Sequence, residues 1–381
     1  MIRIVIGGDV CPMGRAEKAF IEGNPNDIFG DLISEIVGAD LSIVNLESPL
    51  ISRPSPIVKP GGAILGASPK CIKGFVASKW DVLNLANNHS FDHGAIGLRE
   101  TIRTIRAAGL DVVGAGENLE EARAALVKEI ARHRVVLYSV AEREYSVADD
   151  KTPGANPLDL IDFVSTIKRY KRDGIFVVLV HGGKEFYGYP SPETVRRCRF
   201  MVDMGADAVV CCHAHCPLPW EIYADRPIVY GLGNLVFESV HETDHTWCEG
   251  YLAQLTFEGG NVEFTAIPYW QCKEEVGARR MDKSAESDFL QRMVERGKDI
   301  GNSEFLVDNW KRHCLQEKDK YLSWLFGYNR VMRKLRRILL PMVHSREEVH
   351  RALLLAQCES HREVLNTIFN DEKNKMRSGQ E

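Results

Sequence analysis

The sequence predicts a layered α/β domain followed by a helical extension, and three observations carry that prediction. Strand-like and helix-like segments nearly alternate through the first 235 residues, the pattern of sheets covered by helices. From about Gln271 the strand signals stop and the text turns helical. Several strands are followed at once by loops rich in Asp, Glu, Asn and His, and open α/β sheets gather their ligands at such strand ends.

Ile2–Gly8 reads as a first strand and Asp27–Val37 as a helix; Leu41–Leu46 and Asp81–Ala86 read as strands. Ala95–Ala108 has the apolar spacing of an amphipathic helix ending at Gly109. Asp111–Gly114 and Val135–Val140 are further strands, with a helix expected near Leu119–Glu129 between them. Leu158–Arg172 is a helix and Ile175–Val180 a strongly apolar strand. Ser191-Pro192-Glu193 supplies an N-cap, a first-turn proline and a dipole-friendly acid for a helix to Met204. Asp207–Cys211 and Pro227–Tyr230 follow as strands, and Tyr251–Phe257 with Val262–Ile267 as a β-hairpin. Helices are expected over Ser284–Lys298, Glu304–Phe326, Tyr328–Leu340 and Arg346–Asn370, with a frayed end over Asp371–Glu381. The division is therefore 1–270 and 271–381.

Composition narrows the function. Hydrophobic residues at 44% and charged residues at 27% are those of an ordinary globular chain. No apolar run reaches the roughly 18–20 residues that span a bilayer. The opening strand lacks the pattern of a signal peptide, and ten cysteines without paired spacing suit reduced thiols, so a cytoplasmic location is expected. Residues 1–270 carry 26 Lys and Arg against 35 Asp and Glu, which excludes a nucleic-acid footprint there. Residues 271–381 reverse the balance, with 22 against 18. The run Arg330, Arg333, Lys334, Arg336 and Arg337 forms a basic amphipathic helix, a candidate peripheral contact with an acidic membrane or a synthase.

Five strand ends carry the chemistry. Asp9 follows the first strand, Glu47 the second, Asn87-Asn88-His89 and Asp92 the third, and His181-Gly182-Gly183-Lys184-Glu185 the strand Ile175–Val180. The strand Asp207–Cys211 delivers His213-Ala214-His215, two imidazoles aimed at one point beyond the sheet edge. Carboxylate, amide oxygen and imidazole together suit two divalent ions such as Mn, Fe or Zn.

The phrases GDVCPMGR, NLESPL, LANNHSFDHG, HGGKEFYGYPSPET and CCHAHCPLPWEIYADRPIVYGLGNLVF resemble the CapA family of capsule and poly-γ-glutamate synthesis, within the calcineurin-like metallophosphoesterase superfamily. The resemblance covers roughly residues 1–270. It implies a four-layer α/β/β/α sandwich with a dinuclear metal centre. Asp9 would ligate the first metal, Glu47 would bridge, Asn88, His181 and His213 would hold the second, and His215 would return to the first. His89 matches the catalytic histidine of the superfamily, and Asp92 is placed to orient it. Arg15 would grip a substrate anion, and Glu185 and Asn234 belong to the substrate-side surroundings. The chain departs from the superfamily pattern in three places: Cys11 stands where a histidine is usual, Glu47 replaces an aspartate, and Cys212 a glycine.

The resemblance implies a metal-dependent hydrolase acting on a phosphoester or related bond in surface-polymer synthesis, with an anionic small molecule or polymer as substrate. Two alternatives stay open: an amide-directed enzyme that modifies peptide or polyglutamate on the same scaffold, and a non-catalytic component of a polymer-synthesis complex.

Overall fold

The computed structural model describes every residue except 58, 60, 61, 131, 172, 173, 239–244, 273, 274, 327–345 and 379–381. The basic run at 330–337 and the helix expected over 328–340 lie outside the described residues.

The strands, in chain order, begin with β1 (Ile2–Cys11), β2 (Leu41–Leu46), β3 (Val82–Asn84), β4 (Asp111–Val113) and β5 (Ala115–Gly116). Next come β6 (Leu126–Ile130), β7 (His133–Ala141), β8 (Gly154–Ala155), β9 (Ile175–His181) and β10 (Ala208–Cys212). The last are β11 (Pro217–Tyr223), β12 (Arg226–Leu232), β13 (Asn234–Phe237), β14 (Glu249–Glu258), β15 (Asn261–Gln271) and β16 (Ala278–Arg280). One sheet has the order β16-β15-β14-β1-β2-β3-β4, with β13 also on β1; the second runs β11-β12-β10-β9-β7-β6. In the first sheet β1 to β4 run parallel and β14 to β16 antiparallel; in the second β7, β9, β10 and β12 run parallel and the edges β6 and β11 antiparallel.

Side-chain alternation along these strands builds the layers. Ile4, Ile6 and Ile43 face Leu137, Val177, Leu179 and Val210 in a core between the two sheets. Val5, Val44 and Leu83 point the other way, onto Phe20, Phe29, Phe75 and Leu98 from the helical layer. Val136, Val178 and Val209 do the same on the second sheet, against Phe163, Val195 and Met201. The result is the expected α/β/β/α order. Among the described residues no helix is long and apolar enough to cross a membrane.

Several elements differ from expectation. The helix near Leu119–Glu129 is only Leu119–Ala122, and Leu126–Ile130 joins the second sheet as β6. Its residues favour helix locally, but antiparallel pairing with the long strand β7 decides the outcome. Pro217–Tyr223, which the sequence reading did not assign, is an edge strand, where the N–H missing at a proline is tolerated. Strand text continues past Gln271, since β16 extends the first sheet. The helix over Asp27–Val37 breaks at Gly30, whose φ of 49° lies outside the helical region. The helix over Glu304–Phe326 divides into Ser303–Gln316 and Lys318–Phe326. Its neighbour divides into Arg346–Gln357 and Glu359–Ser378, the latter reaching into the segment from Asp371 expected to fray.

Candidate metal centre

The carboxyl ends of β1, β2, β3, β9 and β10 converge on one point. Just before Asp9, β1 passes unusually close to the junction of β12 and β13: a Cβ on Gly8 would collide with the Gly233 carbonyl oxygen. The register of β1 shifts at Asp9 against β13 and just before it against β2, which re-aims the carboxylate. Its Oδ1 accepts from Asn45 Nδ2 at 2.7 Å and its Oδ2 from the His213 backbone N–H at 3.1 Å.

A buried amide network carries the turn after β3. Asn45 Oδ1 accepts from Asn84 Nδ2 at 3.0 Å and from Asn87 Nδ2 at 3.2 Å. Asn87 also donates to the Leu46 carbonyl, and its Oδ1 receives the His89 backbone N–H at 3.1 Å. Asn45, Asn84 and Asn87 thus position the turn that presents Asn88 and His89. The sequence reading gives the first two no role and leaves Asn87 open between turn former and site residue. The available signal was amide side chains inside otherwise apolar strands.

Six of the expected ligands meet at the centre. Glu47, His181 and His213 bring one potential donor atom each within 4.8 Å of one another, and so do Asp9, Glu47 and His215. Glu47 belongs to both groups. Its Oε1 lies 3.6 Å from His181 Nε2 and 3.8 Å from His215 Nε2, close to the ~3.4 Å that separates two donors on one tetrahedral ion with ~2.1 Å bonds. Asn88 Oδ1 stands 3.0 Å from His181 Nε2, against the same imidazole. Cys11 joins neither group; its buried thiol bonds Ser48, and burial pushes it far above the usual thiol range.

The residues fit a divalent cation on one decisive observation. Glu47 is wholly buried, yet neither of its carboxylate oxygens meets a hydrogen-bond donor among the described residues. An unpaired buried carboxylate is costly, and a cation is the natural complement. Burial and the adjacent Asp9 charge push the Glu47 carboxyl well above the ordinary range. Burial and the neighbouring His213 and His215 hold His181 well below the ordinary imidazole value, in the neutral form that ligates. His215 Nδ1 faces Asn234 Oδ1 at 2.9 Å, which leaves Nε2 toward Glu47, as a ligating histidine requires. Asn234, expected on the substrate side, is wholly buried and also donates to the His215 carbonyl. The backbone is strained here: His213 and His215 have φ of 99° and 55°, a rare region for side chains with a Cβ. Trp247 and Phe237 wall the His215 ring at centroid distances of 5.1 and 5.2 Å.

His89 and Asp92 stand together as expected, Nδ1 to Oδ2 at 2.7 Å. Asp92 Oδ2 also accepts the Leu65 N–H at 2.8 Å, and its Oδ1 is salt-bridged to Lys59, a nearly buried cation that the sequence did not single out. Burial lowers the His89 pKa despite the Asp92 hydrogen bond, so the ring is neutral near pH 7. Burial would raise Asp92, but His89 and Lys59 together bring it below the usual carboxylate value. Glu185 Oε1 and Glu144 Oε1 lie 3.9 and 3.8 Å from His213 Nε2; Glu144 is a second residue that sequence reasoning missed. Arg15, half exposed, pairs with Glu238 rather than with any of the six converging residues.

Residues 3–239 match the profile described as "Bacterial capsule synthesis protein PGA_cap". The chain is 31% identical over 241 residues to "Capsule biosynthesis protein CapA" of Bacillus anthracis, covering 61% of this chain and 58% of that one. It is 30% identical over 240 residues to "PGA biosynthesis protein CapA" of Bacillus subtilis (strain 168), covering 61% and 62%. It thus spans less than two thirds of the length of either relative. A solved structure, that of a hypothetical protein from Thermus thermophilus, overlays with a TM-score of 0.47 at 15% identity, covering 71% of this chain and 99% of that one. The family profile takes in well over half of the sequence, including every residue that converges on Glu47, and the chain belongs to the bacterial capsule synthesis protein PGA_cap family.

Proposed function

We propose that the chain is a metal-dependent hydrolase of a phosphoester or related bond, working in the synthesis of a capsule or polyglutamate-type polymer. The relatives' names supply the biological setting. The observation that carries the chemistry is the buried, donorless Glu47 carboxylate shared by two groups of ligand-type side chains. Asp9, Glu47 and His215 would hold one ion, and Glu47, His181 and His213, with Asn88 beside them, the other. Mn, Fe and Zn all suit such donors. Bound ions of this kind lower the pKa of water and neutralise charge on phosphoryl oxygens.

The protein's own groups supply proton handling and orientation. Asp92 holds His89 through Nδ1, so Nε2 is the atom that exchanges a proton with the substrate. The Asp92 charge stabilises the imidazolium that forms when Nε2 takes that proton. Arg15 is the candidate anchor for an anionic substrate. The ten cysteines lack the paired spacing of a disulfide framework in the sequence, which supports the cytoplasmic reading. A second reading, amide-directed chemistry on a peptide or polyglutamate chain, rests on Cys11, whose thiol occupies a usual ligand position without joining either donor group.

Elemental analysis of protein purified without chelator tests the proposal. Wild type should carry close to two ions of Mn, Fe or Zn per chain, and His215→Ala should carry fewer. A screen of phosphoesters should then find a substrate whose turnover is lost in His89→Ala. A wild type free of metal would overturn the two-ion reading and turn attention to amide substrates.

A further inference from the structure

The helices beyond the family-matched region fold back onto the rim of the metal centre. The segment Cys358–Glu363, which as sequence looks like helix surface, is buried at Cys358, Glu359 and Ser360. What it touches is the loop after β7. Glu359 accepts the Arg143 backbone N–H on Oε2 and the Arg143 Nη1 on Oε1, both at 2.8 Å. Glu142 Oε2 accepts the Ser360 backbone N–H at 3.3 Å and the Cys358 thiol at 3.7 Å. A second anchor lies one turn on, where Glu363 accepts from Ser191 Oγ at 2.6 Å and from the Glu193 N–H at 3.1 Å, at the start of the helix Pro192–Asp203.

The same loop touches the site from its other side. The Glu142 backbone N–H donates to the His181 carbonyl at 2.9 Å. The Glu142 side chain fills the space above Gly182, where an added Cβ would come within 2.5 Å of its Cγ. Two residues on, Glu144 Oε2 accepts from Asn88 Nδ2 at 3.4 Å, and its Oε1 stands 3.8 Å from His213 Nε2. Glu142, Arg143 and Glu144 are consecutive, so a constraint on the first two is felt at the third and at His181.

We infer that the segment beginning at Cys358 is a positioning element of the metal centre: Glu359 and Ser360 clamp Glu142 and Arg143, and the clamp sets where Glu144 and His181 stand. It acts first on the His181–His213 half, because its own contacts end on His181, on Asn88 and, at 3.8 Å, on His213. The inference rests on the two-ion reading and adds to it an element outside the matched family region.

The test uses the full chain as wild type, Glu359→Ala and Glu359→Gln, titrated calorimetrically with Mn²⁺ alone. Glu359→Ala should weaken one of the two Mn²⁺ sites by about tenfold or more, the usual cost of losing an outer support of a ligand. The other site should keep its affinity. Glu359→Gln retains an acceptor for the Arg143 N–H and should restore most of the loss, which a general loosening of the fold would not show. Hydrogen exchange with chelator present should be faster at residues 142–144 in Glu359→Ala than in wild type. Two affinities unchanged in Glu359→Ala, or both weakened alike, would overturn the clamp while the two-ion centre stood. A wild type that takes up no Mn²⁺ would overturn the centre itself, and this inference with it.

Discussion

Glu47 shows how much one side chain reveals about a site. Its sequence neighbours, Asn-Leu-Glu-Ser-Pro, are unremarkable; its importance lies in having two buried oxygens and no donors. That condition has a thermodynamic signature in chelated protein. The folded carboxyl holds its proton well above the ordinary value of 4.5, so above that value the native state binds more protons than the unfolded chain. Stability must then fall as pH rises, because the slope follows the protons bound by the unfolded state minus those bound by the native one. Glu47→Gln removes the titration. In EDTA the variant should be more stable than wild type by about 2 kcal/mol near pH 8, with the gap closing toward pH 5. Urea denaturation at the two pH values measures it. A gap that does not widen with pH would mean that Glu47 is not held protonated. His181 acts in the opposite sense: burial lowers its folded pKa, so its contribution grows as pH rises toward 6.5 and is complete above it.

At the scale of elements, the central strands were legible because burial on both faces writes continuous apolar text, as in Ile175–Val180 and Asp207–Cys211. The edges were not. β6, β11 and β16 owe their conformation to partners rather than to their own propensity. The candidate site divides along the same line. Asp9, Glu47, Asn88, His181, His213 and His215 follow strands that sequence alone can place, and they converge. Lys59 and Glu144 enter from loops whose course is decided by tertiary packing, and no local pattern announces them. The approach of β1 to Gly233, just before β13, is a further case, since nothing short of the folded chain shows why Gly8 must be a glycine. A methyl at Gly8 would meet a backbone oxygen that cannot turn aside. Gly8→Ala should therefore cost about 3 kcal/mol and reduce metal content by displacing Asp9. Thermal denaturation and elemental analysis check both effects; a variant as stable as wild type would show that the two strands can part without harm.

The whole molecule is two sheets that share a core and meet again at the candidate centre. Asp9, Glu47 and Asn88 come from the first sheet and its loops, while His181, His213 and His215 come from the second. Cations bound there would join the carboxyl ends of the two sheets, and the unfolded chain has no equivalent site. Ligand that binds only the native state adds RT ln(1 + [L]/Kd), about 2.7 kcal/mol per site at a hundredfold excess over Kd. Scanning calorimetry of chelator-stripped wild type should accordingly show the transition moving up as Mn²⁺ is added. Glu47→Gln should lose most of that rise, because it withdraws a donor from both groups at once. His215→Ala and His213→Ala should each lose nearer half, since each belongs to one group. The distinction matters because a single-ion centre predicts otherwise: one of the two histidine variants would then respond to Mn²⁺ as fully as wild type. Equal partial losses in the two histidine variants, with near-complete loss in Glu47→Gln, are the pattern that only a carboxylate shared between two ions produces.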